Sequence, residues 1–192
     1  MRRTLGLSLL VALPALAAGG DVPREPFANA HVSLMARVQS GAAEARLAEL
    51  DVWAEGTRLR ARVRGDAPAG ELWLEGLDSR PVRIVEGKLE PARRKTLEGA
   101  LRIAFTPSPV LPHASTDRIA GRPCKLLTES LSRGATLTRC IWRGLPLSVQ
   151  LKMKGFSFHA GATLVEEGAA TAADLQPPPG APAAPDSLSA GR

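Results

Sequence analysis

Residues 58–64 read Arg-Leu-Arg-Ala-Arg-Val-Arg, a charge at every second position with an apolar residue between. A period of two is that of a β-strand, because successive side chains point to opposite faces of the sheet. Leu59, Ala61 and Val63 therefore share an inward face, and Arg58, Arg60, Arg62 and Arg64 share an outward one. The same alternation sets Val149, Leu151 and Met153 against Gln150, Lys152 and Lys154, and a turn near Gly155 brings Phe156 and Phe158 back alongside. Further strands are predicted over residues 31–38, 45–53, 71–77 and 81–86, the last two separated by the turn residues Asp78-Ser79, and over 124–131, 135–142, 147–154 and 156–166. Alanine content leaves a helix open as the alternative for residues 42–50. One segment has a helical period: Pro91 opens it, Leu97, Ala100, Leu101, Ala104 and Phe105 recur at helical spacing, and Arg93, Arg94, Lys95 and Arg102 fall elsewhere. Such a helix either packs its apolar stripe on a curved sheet or acts as a movable lid over an apolar cavity. Pro107, Pro109 and Pro112 then enforce an extended connection. The pattern predicts an α+β fold, mostly β, in which one or two helices cover a curved antiparallel sheet.

The ends of the chain have a different character. Arg2 and Arg3 precede an uncharged apolar run over residues 5–18 that contains Ala15-Leu16-Ala17, the layout of a cleavable signal peptide over residues 1–17. The run is short for a bilayer core of roughly 30 Å, so a retained anchor is the weaker alternative and membrane contact is peripheral at most. From residue 171 to 192 the chain is rich in Ala and Pro, with PPPGAPAAP at its centre, and is expected to be a flexible or polyproline-like tail that adds little core. Residues 18–170 remain as one β-rich domain. Arg2 and Arg3 supply two of the six net positive charges, which leaves a modest excess for anionic partners. With an aromatic content of 4%, few stacking platforms exist for nucleic acid, and no nucleic-acid partner is expected.

There are two cysteines, Cys124 and Cys140. The stretch between them reads as a hairpin turning at Ser132-Arg133-Gly134, and pairing about residue 132 sets Cys124 opposite Cys140 and Leu126 opposite Thr138. A structural disulfide is favoured over a metal site, which needs more ligands, and over a redox pair, which usually shows C-x-x-C. Periplasmic localisation accords with it.

Signatures of nucleophilic, zinc-dependent or phosphate-binding catalysis are missing from the sequence. His31, His113 and His159 are scattered, and the adjacent Glu166 and Glu167 point to opposite faces of a strand. Neither a metal nor a cofactor is expected, and the chain reads as a binding protein rather than an enzyme. The four arginines of residues 58–64 are either a solvated face neutralised by Glu49, Asp51 and Glu55 or a face for an anionic partner. Trp53, Trp73 and Trp142 are expected in the core.

Three segments together resemble the LolA-like periplasmic family of lipoprotein carriers and outer membrane lipoprotein-sorting proteins. LDVWAEGTRLRARVRG is similar to the family's strand pair through Trp53, Gly56, Arg60 and Arg62. IAGRPCKLL and CIWRGLPLSVQLKMKG are similar through Gly121, Cys124, Trp142, Gly144, Pro146 and Leu147, and ATLVEEGAATAADLQPPPG resembles the closing strand with its leucine, proline and glycine. The hairpin disulfide and Gln176, where an aromatic residue is usual, depart from the pattern. The resemblance implies an incomplete curved antiparallel barrel around an apolar cavity that, in the carriers, accepts acyl chains. Leu59, Val63, Trp73, Leu97, Leu101, Phe105, Trp142, Leu151, Phe156 and Phe158 are the expected cavity residues. The expected partner is a lipid or acylated protein; the alternative is a sensor or interaction module with a packed core that contacts an envelope protein.

Overall fold

The computed structural model describes residues 23–65, 70–90, 96–109 and 115–182. The expected signal peptide, the helix start at Pro91 and residues 183–192 lie outside them. Eleven strands form one open antiparallel sheet. In chain order they are β1 (Phe27–Ser40), β2 (Arg46–Gly56), β3 (Arg58–Gly65), β4 (Gly70–Glu75), β5 (Val82–Val85), β6 (Lys88–Leu89), β7 (Thr116–Ile119), β8 (Arg122–Leu131), β9 (Ala135–Trp142), β10 (Leu145–Met153) and β11 (Phe156–Glu167), with helix α1 (Leu97–Ala104) between β6 and β7. The spatial order β6-β5-β4-β3-β2-β1-β11-β10-β9-β8-β7 makes two meanders joined through β1 and β11.

Alternation decides the faces. In register, Leu34 meets Leu50, Leu50 meets Val63, Ala61 meets Leu72, and Leu151 lies between Leu137 and Phe158. All are buried in one apolar cluster on the inner face. An eight-residue helix is only about 12 Å long, and strands lie about 4.8 Å apart, so α1 alone cannot shield this face. It nonetheless packs on both β5 and β10, strands from opposite halves of the sheet, which requires the sheet to curl around it.

Tight turns set the registers. Arg143-Gly144 joins β9 to β10 with positive φ at both residues, 46° and 80°, the combination of a type I′ hairpin turn. An added Cβ at Gly144 would stand 2.6 Å from the Pro26 carbonyl oxygen, so close packing as well as φ demands glycine there. Residues 46–50 are strand rather than helix, since Ala48 and Leu50 alternate inward with Leu47 and Glu49 outward. Thr96 caps α1, its side chain accepting from the Gly99 amide at 3.4 Å.

Three sequence expectations need correction. The β8–β9 turn centres on Arg133 (φ 65°), one residue later than expected, so Cys140 faces Leu126 and Thr138 faces Thr128. Cys124 and Cys140 are bonded diagonally, with Cα atoms 5.3 Å apart. Trp53 belongs to the outer face in line with Asp51 and Glu49 and is half-buried; Trp73 and Trp142 are buried as expected, Trp73 apart from the inner cluster. The tail is not wholly outside the fold: Leu175 is fully buried and Pro178 is buried too.

Replacing both cysteines by serine is expected to lower stability by about 3 kcal/mol, the chain-entropy value for a loop of this length. Urea unfolding of the oxidised wild type and the double variant measures the difference.

Candidate functional site

The inner face and its helix are the setting for any ligand site. Leu59, Val63, Leu101, Phe105, Trp142, Leu151, Phe156 and Phe158 all belong to the buried cluster, and Leu97 packs at its border. Trp73 does not, because it shares a face with Arg60, its neighbour on β3. Most of the expected lining residues therefore pack against one another. At one end, a cleft of ≈ 290 Å³ opens between the β1–β2 turn and the start of α1. Val38, Ala43, Leu47, Ala48, Leu97 and Phe156 line it with apolar groups, and Ser40, Glu44, Arg46, Thr96 and Glu98 supply polar ones.

Helix α1 is held at each end by a buried arginine. Arg83 of β5 lies 3.6 Å from Glu98 in the first turn. At the other end Arg139 of β9 donates to the carbonyls of Ala104, at 3.3 Å, and Thr106, and it pairs with Glu129 at 2.6 Å. A cation at a helix C-terminus satisfies carbonyls that lack intrahelical donors and complements the dipole. Burial pulls the Arg139 guanidinium below its ordinary range, and Glu129 opposes that shift. Arg102 adds a bond to the Glu90 carbonyl. Arg139 left a mark in the sequence: it shares parity with Ala135 and Leu137, which places one cation on an otherwise apolar face.

The outer face is a network of ion pairs. Arg60 binds Glu71 through bonds of 2.7 to 3.1 Å, Arg62 lies 3.7 Å from the same carboxylate, and Arg64 pairs with Asp51. Of the acidic partners expected from β2, Asp51 serves, and Glu71 of β4 takes the larger share. His31 lies between Glu166, at 3.0 Å, and Asp51, at 3.4 Å, and stacks on Trp53 with centroids 5.1 Å apart. Arg62 caps the Trp53 ring at 5.5 Å. Among the described residues no group of three His, Cys, Asp or Glu side chains is placed to hold a metal ion.

A strap formed by residues 169–182 runs over this outer face. Asn29 and Ala170 exchange two hydrogen bonds of 3.1 Å, and Arg60 donates to the Gln176 carbonyl at 3.3 Å. Gly180 packs directly on the backbone of Gly87, where an added Cβ would overlap it. Thr171 and Asp174 close a small turn, with the Asp174 carboxylate accepting from the Thr171 amide and hydroxyl. The Thr171 side-chain bond is the main cause that holds this carboxyl below its ordinary range.

Neither known protein families nor curated proteins match the sequence. Among solved structures the fold is similar to that of MucB, crystallised in complex with MucA(peri), at 20% identity and a TM-score of 0.40 over 79% of this chain and 55% of that one. The chain spans about half the length of that protein. A DUF1329 family protein from Desulfovibrio piger is similar at 8% identity and a TM-score of 0.36, over 78% of this chain and 92% of that one.

Two outcomes are expected. Arg139→Met leaves the Ala104 and Thr106 carbonyls without their donor, a local loss of about 1–3 kcal/mol, so amides of α1 should exchange with solvent at least tenfold faster while those of β1 and β11 are unchanged. For Asp174, a folded pKa below the unfolded value gives stability that is complete above about pH 3.8 and lost as pH falls through the lower folded value. Tryptophan emission should therefore report strap loosening on acidification below pH ~4, and Asp174→Asn should remove that step.

Proposed function

We propose that this protein is a non-enzymatic periplasmic binding protein that takes an alkyl chain of a lipid or acylated ligand into the cleft beside α1. The observation that carries this reading is an apolar cleft with a short helix as one wall, fastened by polar contacts at its two ends. A cleft of ≈ 290 Å³ is at the small end of ligand sites, which span about 300–1,000 Å³. At a liquid-like ~30 Å³ per methylene-sized group it admits about ten carbons. A longer chain has to displace Leu97 and then Leu101 from the inner face. Burial of ten methylenes supplies roughly 8 kcal/mol, against ~1.5–3 kcal/mol for each of the two charged clamps on α1. The apolar run after Arg2 and Arg3 and the Cys124–Cys140 disulfide support export to an oxidising compartment.

A second reading, a protein-interaction module with a packed core, draws on the filled inner cluster and the internally neutralised arginine face. Ligand extraction separates the two. Organic extracts of the mature protein, analysed by mass spectrometry, are expected to contain acyl lipid, and the protein should bind a fluorescent fatty acid reversibly. Ala43 is an exposed loop residue lining the cleft, so Ala43→Trp should fill it and weaken the probe at least tenfold with unchanged circular dichroism. The absence of both extractable lipid and probe binding rejects the carrier reading and leaves the interaction module.

A further inference from the structure

We propose that the outer face over Trp73 is a binding groove for a proline-run peptide of another protein, occupied in the free chain by its own strap. The path of residues 169–182 is marked at three points: Ala170 on Asn29 of β1, Gln176 on Arg60 of β3, and Gly180 on Gly87 in the turn after β5. Between the second and third marks run Pro177, Pro178 and Pro179. Beneath that interval the register sets Arg60, Trp73 and Val82 side by side, with Ile84 next on the same face. Trp73 and Ile84 of the sheet and Leu175 of the strap are buried yet stand apart from the inner cluster, which makes them a second apolar layer on the outer face.

A proline run over a tryptophan is a recurrent recognition mode, since polyproline II is extended, already ordered and presents unpaired carbonyls. In such grooves the aromatic platform supplies apolar surface, and donors along it read the carbonyls. Arg60 already reads one, at Gln176, and Glu71 fixes its guanidinium. Among the described residues the buried Trp73 indole N–H has no acceptor, so the resident strap leaves this donor unused. A peptide that offers it a carbonyl gains a bond that the strap forgoes. The Gly180 contact adds a size filter, because only glycine fits against Gly87. The groove therefore selects a leucine, one spacer residue, a run of prolines and a glycine. Tethering gives the strap an effective concentration on the order of millimolar, so ordinary proline-rich segments are excluded and only a better-matched partner displaces it.

The test uses the full mature chain and a fluorescein-labelled peptide with the sequence of residues 169–182. Leu175→Asp weakens the resident strap, so this variant should bind the peptide at least tenfold more tightly than the wild type, and replacing the peptide's three prolines by alanine should abolish the binding. Equal affinity for wild type and variant, or no binding to a folded variant, overturns the proposal. Should Leu175→Asp fail to fold, hydrogen exchange of the wild type decides. Amides of Leu175 and Ala181 exchanging at least a hundredfold faster than those of β1 and β11 support a strap that opens locally, and exchange only through global unfolding overturns it. A concentration-dependent dimer with exchanged straps would place the occupant in a second copy and likewise overturn the foreign-peptide reading.

Discussion

The ladder between β1 and β11 joins two meanders that, among the described residues, share no other strand pairing, and it runs nearly the full length of both strands, from Ala30 with Glu167 to Ser40 with Phe156. Because β1 also pairs with β2, and β11 with β10, this seam brings the inner faces of both halves into one apolar cluster. Curling then brings β5 and β10 to the same helix. Removal of the seam would leave two open meanders, each too flat and too short of cover to bury its apolar side. The helix, its arginine clamps and the cleft depend on that closure.

Two kinds of polar contact divide the molecule. On the outer face the charges are close, half-exposed and mutually neutralised, as with Arg60 and Glu71 or Arg64 and Asp51, and such pairs contribute modestly. On the inner face Arg83 and Arg139 are buried, where breaking a contact costs more than making it gains. The inner arginines thus act less as stabilisers than as position markers that fix where α1 rests. A helix set by such discrete contacts has a defined closed state, and departure from it requires a ligand that replaces the lost burial.

Strand identity was legible in the sequence wherever one face is solvated. Residues 58–64 and 149–154 alternate cleanly, and the structure has β3 and β10 there. Where both faces are covered the strand was still legible, since the one expected over residues 71–77 is present as β4, but its faces were not. The run Glu71-Leu72-Trp73-Leu74 does not alternate, since Trp73 is buried under a strap assembled from residues about a hundred positions further on. The same strap misled the reading of the C-terminus, because proline-rich composition predicts the absence of periodic structure and says nothing of docking on a distant surface. The disulfide partners were evident from their number, but the register was not: a shift of one residue in the turn centre at Arg133 moves every pairing on β8 by two. Of the expected cavity lining, the sequence identified residues that are buried together, yet only Leu97 and Phe156 border the open cleft. Volume left between side chains is a property of packing, and no spacing rule encodes it.

The seam of β1 and β11 also imposes an order of events during biogenesis. β1 emerges first and can form its hairpin with β2 at once, but its other edge has to wait for the final strand of the sheet. Contacts so distant along the chain slow the search for the native state. Throughout that delay a fourteen-residue strand displays an open row of amides and carbonyls, the kind of template on which chains aggregate. A holdase that shields the β1 edge until β11 arrives would shift the outcome toward productive closure.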